Sequence, residues 1–309
     1  MQSYNLINGN IITLNDDSTA ITSITISGGK IESINSPNSK YEYKDLSGAT
    51  VIPGFIDAHF HLKNFGKRLD MLDLKGLKSL DQIASKIKEK SKFLNKNQWL
   101  LGFGWDQNLW DSKEYPKAAF LNSLIPNNPV YLTRIDGHSA WVNDCAIFKA
   151  GANIKTMKGQ EGSDVIHDCI IIDNAMNNFK ESLPKDTKDQ VKKWIKVAVE
   201  NANIMGITGV HDAWQDATTV AAIQELIEEE EFPIRCYGML ASNDYDLLHH
   251  FFTKGHYHTD YLTIRSVKAF IDGALGSRGA ALHEPYCDDT NNCGLILISK
   301  EKFNQLAQD

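Results

Sequence analysis

Residues 51–62 read VIPGFIDAHFHL, and the two histidines that end this stretch point to metal chemistry. In a strand, alternate side chains leave by opposite faces. His59 and His61 therefore share a face, one pleat apart, with Asp57 two residues upstream on the same side. Two neighbouring imidazoles at the end of an apolar strand make half of a metal site, since neutral ring nitrogens are good ligands for divalent ions. A second pair, His256 and His258 in GHYHTD, lies among Gly, Lys, Thr and Asp and is predicted to be solvated loop. The first pair instead follows Pro53-Gly54 and an apolar run, and the C-terminal ends of parallel strands are where barrels and open sheets place their sites.

Lys268 is the second anchor. In SVKAFIDG it shares a face with Phe270 and Asp272, while Val267, Ala269 and Ile271 take the other. A lysine inside a buried strand keeps its charge only at a cost. It reaches past the strand end, pairs with Asp272, or stays neutral. A neutral amine, favoured by burial, can add CO2 to give a carbamate whose oxygens bridge metal ions. Spacing leaves these alternatives open. His211 and Asp212 close the predicted strand GITGVHDA and would stand at the mouth of the same site. His138, in RIDGHSAW, could serve catalysis, capping or the core. Trp105, Trp110 and Trp141 read most simply as core packing. Arg278 follows a Gly-rich turn, where a guanidinium could hold a carboxylate or simply decorate the surface.

These residues need a scaffold. The chain has 309 residues, 42% of them hydrophobic, enough for one large domain or two smaller ones. A net charge of -7 argues against a nucleic-acid-binding surface. Five cysteines, with no C-x-x-C pair, argue against a disulfide framework or zinc ribbon and suit a reducing cytoplasm. MQSYNLINGN lacks the features of a signal peptide, and no apolar run reaches the roughly 18 residues of a membrane span. The expected location is cytoplasmic.

Residues 1–52 are predicted as short strands, with hairpin turns at Asn8-Gly9 and Gly28-Gly29. The first long apolar strand lies in the segment 53–72, which the resemblance described below makes barrel strand 1, and an inserted α+β subdomain is placed at 73–165. In 166–309, buried strands alternate with helices, the signature of a parallel sheet, open or closed. DTKDQVKKWIKVAVENANIMG reads as an amphipathic helix ended by Gly206. There is no G-x-S-x-G elbow, P-loop or G-x-G-x-x-G fingerprint.

VIPGFIDAHFHL resembles the first-strand signature of the amidohydrolase superfamily. GFGWDQNLW, RIDGHSAWVN, IIIDNAM, GITGVHDA and VKAFIDGALGSRGAAL followed by EPY are similar to the YtcJ-like branch, which includes N-substituted formamide deformylases. The matching stretches run in order through nearly the whole chain. One departure is Asp144, where the family usually carries a small residue.

The resemblance implies an α/β fold: a (β/α)8 barrel, present here in part, with an N-terminal β-sandwich segment and the inserted subdomain. It makes His59, His61 and a carboxylated Lys268 the metal ligands, with one or two divalent ions, zinc being expected. His138, His211 and Asp272 become catalytic candidates, and Trp105, Asp106 and Arg278 substrate-binding ones. The family's histidines on strands 5 and 6 and its aspartate base on strand 8 have no counterpart after Gly273. A barrel typically takes ~250 residues, and the barrel-like segments here total roughly 160, so the chain is expected to be the N-terminal part of a longer protein.

The expected activity of that protein is hydrolysis of a non-peptide C–N bond (amide, formamide or cyclic amide) through a metal-activated water. The alternatives are a deaminase, a hydrolase of another bond, or a truncated non-catalytic remnant. The expected partner is a small-molecule substrate, with no nucleic acid and no membrane; a homodimer is left open.

Overall fold

The computed structural model describes residues 2–14, 20–273, 275 and 278–308, so Ala274, Gly276 and Ser277 of the Gly-rich turn lie outside the described residues. The chain is a mixed α/β fold that divides into two units, one comprising the residues up to Asp57 with Gly206–Gly209, the other the remainder.

The first unit is built of short strands: β1 (Tyr4–Ile7), β2 (Asn10–Ile11), β3 (Ile24–Ser27), β4 (Lys30–Ile34), β5 (Glu42–Asp45) and β6 (Thr50–Val51). Gly28 and Gly29, at φ +57° and +75°, make the expected hairpin between β3 and β4. Such angles suit the glycine pair of a type I′ turn. The Asn8-Gly9 pair does not make a hairpin. Both flanks of β1 are already taken, by antiparallel β3 and parallel β5, so the chain turns at Asn8 and β2 pairs instead with β6. The Asn5 side chain is buried beneath this sheet. Its Oδ1 accepts from Thr25 Oγ1 at 2.7 Å and from the Asn38 N–H at 2.9 Å.

The second unit begins within β7 (Phe55–Phe60), which leads into α1 (Leu62–Asp70) and β8 (Leu72–Asp73). Then follow α2 (Leu80–Ser91), β9 (Leu100–Trp105), α3 (Ala118–Leu124), β10 (Val130–Arg134), β11 (Ser139–Val142), α4 (Asp144–Ala150), α5 (Ile154–Lys158), β12 (Ser163–Ile166) and β13 (Ile170–Asp173). These strands form one sheet in the order β12-β13-β11-β10-β9-β8. Its core holds Trp105, Trp110 and Trp141, with Trp105 and Trp141 fully buried. Asp144 sits in the first turn of α4, where a carboxylate suits the helix dipole, and accepts from Asn122.

After the insertion come α6 (Lys188–Ile204), β14 (Ile207–Gln215), α7 (Ala217–Glu228), β15 (Arg235–Ala241), α8 (Tyr245–Lys254), β16 (Tyr257–His258), β17 (Leu262–Lys268) and α9 (Lys300–Gln308). Thr187 caps α6 through the Gln190 N–H. Its buried stripe (Val191, Trp194, Ile195, Ala198, Val199, Ala202) has the helical spacing read from the sequence. Gly206 follows the C-cap at φ +80°, as a C′ glycine should. Gly66 lets α1 lie against α6, because a Cβ there would overlap the Trp194 carbonyl.

A five-stranded sheet has the order β16-β17-β15-β14-β7. β15 and β17 are parallel, paired from Cys236↔Leu262 to Ala241↔Lys268 with a register shift between Gly238 and Met239. The sheet is open, and the described residues form no closed barrel. β7 is an edge strand, which is why Phe55 and Ile56 are more than half exposed rather than buried as the apolar run suggests. The segment read as loop around His256 and His258 supplies the antiparallel edge strand β16, with His258 Nδ1 2.8 Å from Thr263 Oγ1. Among the described residues no helix is long and apolar enough to cross a membrane.

Candidate metal centre

His59 is the penultimate residue of β7, and His61 is the N-cap of α1. Their rings stand edge to face, with centroids 5.3 Å apart and planes at 75°. Lys268 ends β17, two strands from β14 in the sheet, and its carbonyl is fixed by the Ser242 N–H at 3.0 Å. Its Nζ lies 5.0 Å from the centre of the Phe270 ring, which in turn packs on Trp214 at 4.8 Å. The three groups are close enough to sense one another. Burial first, then the charges of His59 and Lys268, hold the His61 imidazole below its usual proton affinity.

The Nδ1 of His61 is buried and has no hydrogen-bond partner. A lone ring nitrogen kept dry costs free energy unless something completes it. A neutral imidazole beside a second imidazole is the donor chemistry of a divalent ion, so the pair fits one. Among the described residues no group of three or more His, Cys, Asp or Glu side chains is placed to hold a metal. What stands together is the imidazole pair, with the charge of Lys268 acting on His61.

His211 and Asp212 part company. Adjacent on β14, they face opposite ways: the half-buried His211 ring packs on Tyr237 at 5.2 Å, while Asp212 is only 1% exposed. Asp212 Oδ1 accepts from the Leu62 N–H at 3.0 Å, and its Oδ2 from Gln215 Nε2 at 2.9 Å. Burial pushes its carboxyl up from 3.8 to about 6, against the pull of Gln215, Leu62 and Lys63. The folded chain therefore holds this proton more tightly than the unfolded chain does. Stability falls as pH rises through the window from about 4 to about 6, by about 3 kcal/mol from this group. Asp212→Asn is expected to remove that slope, so that the difference in urea midpoint between variant and wild type grows across this window and is flat above it.

The other sequence-derived candidates are not gathered with the histidine pair. His138 is 72% exposed in the turn between β10 and β11, its Nδ1 2.9 Å from Asp173. Trp105 is a core residue with no face open to a ligand, its Nε1 bonded to the Leu132 carbonyl at 2.6 Å. The core-packing reading of the tryptophans is thus the correct one, and Trp105 does not line a pocket as the substrate assignment requires. Asp106 caps the turn at Asn108 and pairs with Arg134 at 3.1 Å. Arg278, expected to hold a substrate carboxylate, is exposed and already grips the carboxylate of Asp288 through two bonds, at 3.1 and 2.9 Å. Asp272 bridges to Ile296 and accepts from the Ala281 N–H at 3.0 Å.

The sequence reading gave no separate role to Asp212, Gln215 or the Phe270–Trp214 wall. Asp212 stood next to His211 as a strand-end polar residue; nothing in the sequence marks which of the two turns inward.

The profile described as the Amidohydrolase family matches residues 42–308. The chain is 30% identical over 288 residues to the putative amidohydrolase YtcJ of Bacillus subtilis (strain 168), covering 90% of this chain and 53% of that protein. It is also similar to the N-substituted formamide deformylase of Arthrobacter pascens, 27% identical over 165 residues, covering 50% of this chain and 30% of the other. Among solved structures, an uncharacterized metal-dependent hydrolase from Pyrococcus furiosus superposes with a TM-score of 0.81 at 25% identity, over 99% of this chain and 64% of that one. The chain spans about half the length of the YtcJ protein it matches. With the profile covering most of its length and its likeness to YtcJ nearly end to end, the chain belongs to the amidohydrolase family, in its YtcJ-like branch.

Proposed function

We propose that this chain supplies the metal-binding half of a hydrolase that cleaves a non-peptide C–N bond in an amide, formamide or cyclic amide. The observation that carries the reading is the buried, unpartnered Nδ1 of His61 beside the His59 ring, within electrostatic reach of Lys268. The names of two relatives, a formamide deformylase and a metal-dependent hydrolase, support the bond type and the metal requirement.

His59 and His61 would hold the ion, zinc being the expected one, through neutral imidazole nitrogens. When bound, such an ion would lower the pKa of its water to about 7 and polarise a carbonyl oxygen. Lys268 contributes as a carbamate: its neutral amine attacks CO2, a new N–C bond forms, and one proton leaves to solvent. The product carries two oxygens where the ammonium carried none. The Lys268 Nζ stands over the Phe270 ring, which packs on Trp214.

The test uses the full-length protein, purified with zinc and supplied with N-substituted formamides, N-acyl amines, cyclic amides, carboxylic esters and aminated heterocycles. Release of free acid and amine from the amides, together with stoichiometric zinc, is the expected result. Ammonia released from a heterocycle in place of acid would make it a deaminase. Full-length protein that takes up no divalent ion sinks the reading.

A further inference from the structure

We infer that Asp212 is a positioning residue for the metal centre: from a neighbouring strand it fixes the peptide that carries His61, and the affinity of the histidine pair for its ion depends on it. This rests on the metal reading proposed above.

The argument begins with a missing cap. Helix N-termini leave N–H groups unpaired, and the residue at the N-cap usually satisfies one with a short polar side chain. Here the N-cap of α1 is His61, and its side chain makes no cap bond. The position is taken by the imidazole. The missing acceptor arrives from elsewhere in the chain, 150 residues on, as Asp212 Oδ1 at 3.0 Å from the Leu62 N–H. A carboxylate also suits the positive end of the helix dipole.

The consequence falls on His61. The peptide between His61 and Leu62 is planar, and both its polar ends are held: the His61 carbonyl accepts from the Phe65 N–H at 2.8 Å, and the Leu62 N–H donates to Asp212. The Leu62 side chain is fully buried behind it. Since the Nδ1 of His61 has no partner of its own, the backbone is what aims this ring. The next residue, Lys63, is tied in the same direction, to Asp216 at the start of α7.

Asp212 is held in turn. Gln215 Nε2 donates to its Oδ2 at 2.9 Å and lies 3.4 Å from Cys236 Sγ. Gly238 on β15 makes room for this amide, because a Cβ there would overlap Gln215 Oε1. A fully buried carboxylate is costly. Three residues and a glycine arranged around one backbone N–H are out of proportion to a simple helix cap.

The experiment measures zinc affinity by chelator competition, and the visible absorption of the cobalt form, for full-length wild type, Asp212→Ala and Asp212→Asn. Removing a group that orients a ligand typically weakens binding ~10- to 100-fold, and that loss, with altered cobalt bands, is expected for Asp212→Ala. Asp212→Asn keeps the oxygen that accepts from Leu62, and its amide can pair with Gln215 Oε1 once that side chain turns over. It is expected to stay within about threefold of wild type. Should Asp212→Ala not fold, Gln215→Ala carries the test, with zinc binding weakened at least about threefold as the expected result. Unchanged zinc affinity and cobalt spectrum in the folded variants, with only a lowered melting temperature, overturn the positioning role and leave the hydrolase reading standing. Wild-type protein that takes up no zinc overturns both.

Discussion

Replacing His59 and His61 together by alanine in the full-length protein is expected to release the bound ion and lower amide hydrolysis by about 10^3-fold or more, with the fold retained. The size follows from what the ion does. Without it the attacking water stays a weak acid and a poor nucleophile, and every 1.36 kcal/mol added to the barrier costs a factor of ten. Folding, by contrast, should hardly notice. His59 is exposed, the Nδ1 of His61 has no hydrogen-bond partner, and the two rings meet edge to face. Elemental analysis, initial rates on the best amide and far-UV circular dichroism check the three parts. Metal content and rate that survive in the double variant, with an intact spectrum, would sink the assignment. Of the single changes, His61→Ala should be the more severe, because its nitrogen is the one the interior leaves without a partner.

The local geometry around the histidine pair was partly legible in the sequence, and the reasons are specific. The H-x-H spacing did bring the His59 and His61 rings edge to face, although β7 ends at Phe60 and His61 is already the N-cap of α1, and the helix period with its terminal Gly206 located α6 almost to the residue. Gly28-Gly29 gave its hairpin because local φ preferences decide a two-residue turn. Asn8-Gly9, with comparable local chemistry, did not, since both neighbours of β1 are supplied from further along the chain. The same limit hid Asp212. Its importance comes from a contact with Leu62 across 150 residues, and no local pattern distinguishes an inward aspartate from an outward histidine beside it. Arg278 failed for a related reason: the carboxylate it grips belongs to Asp288, ten residues on, beyond a turn that spacing does not describe. Trp105 shows the opposite error, a core residue credited with chemistry because it stands beside polar neighbours.

Lys268→Met is expected to lower the rate by about 100-fold or more and to reduce the zinc bound per chain, while leaving the sheet in place. Methionine keeps most of the length and an apolar stem, so what is lost is the terminal nitrogen with its contact to the Phe270 ring. The backbone of residue 268 is fixed independently of its side chain, through the β15 register and the Ser242 N–H. A nitrogen that serves only as a surface cation would be worth little in this position. One that becomes a carbamate changes sign, from a charge that opposes metal binding at His61 to a pair of oxygens that assist it. Wild-type protein equilibrated with 13C-labelled bicarbonate should therefore show a carbamate carbon resonance that is missing from the variant, and its zinc content should fall when CO2 is stripped from the buffer. Zinc stoichiometry and rate unchanged by the substitution would show that the amine plays no part, and the centre would then rest on the two imidazoles and on ligands from other segments of the protein.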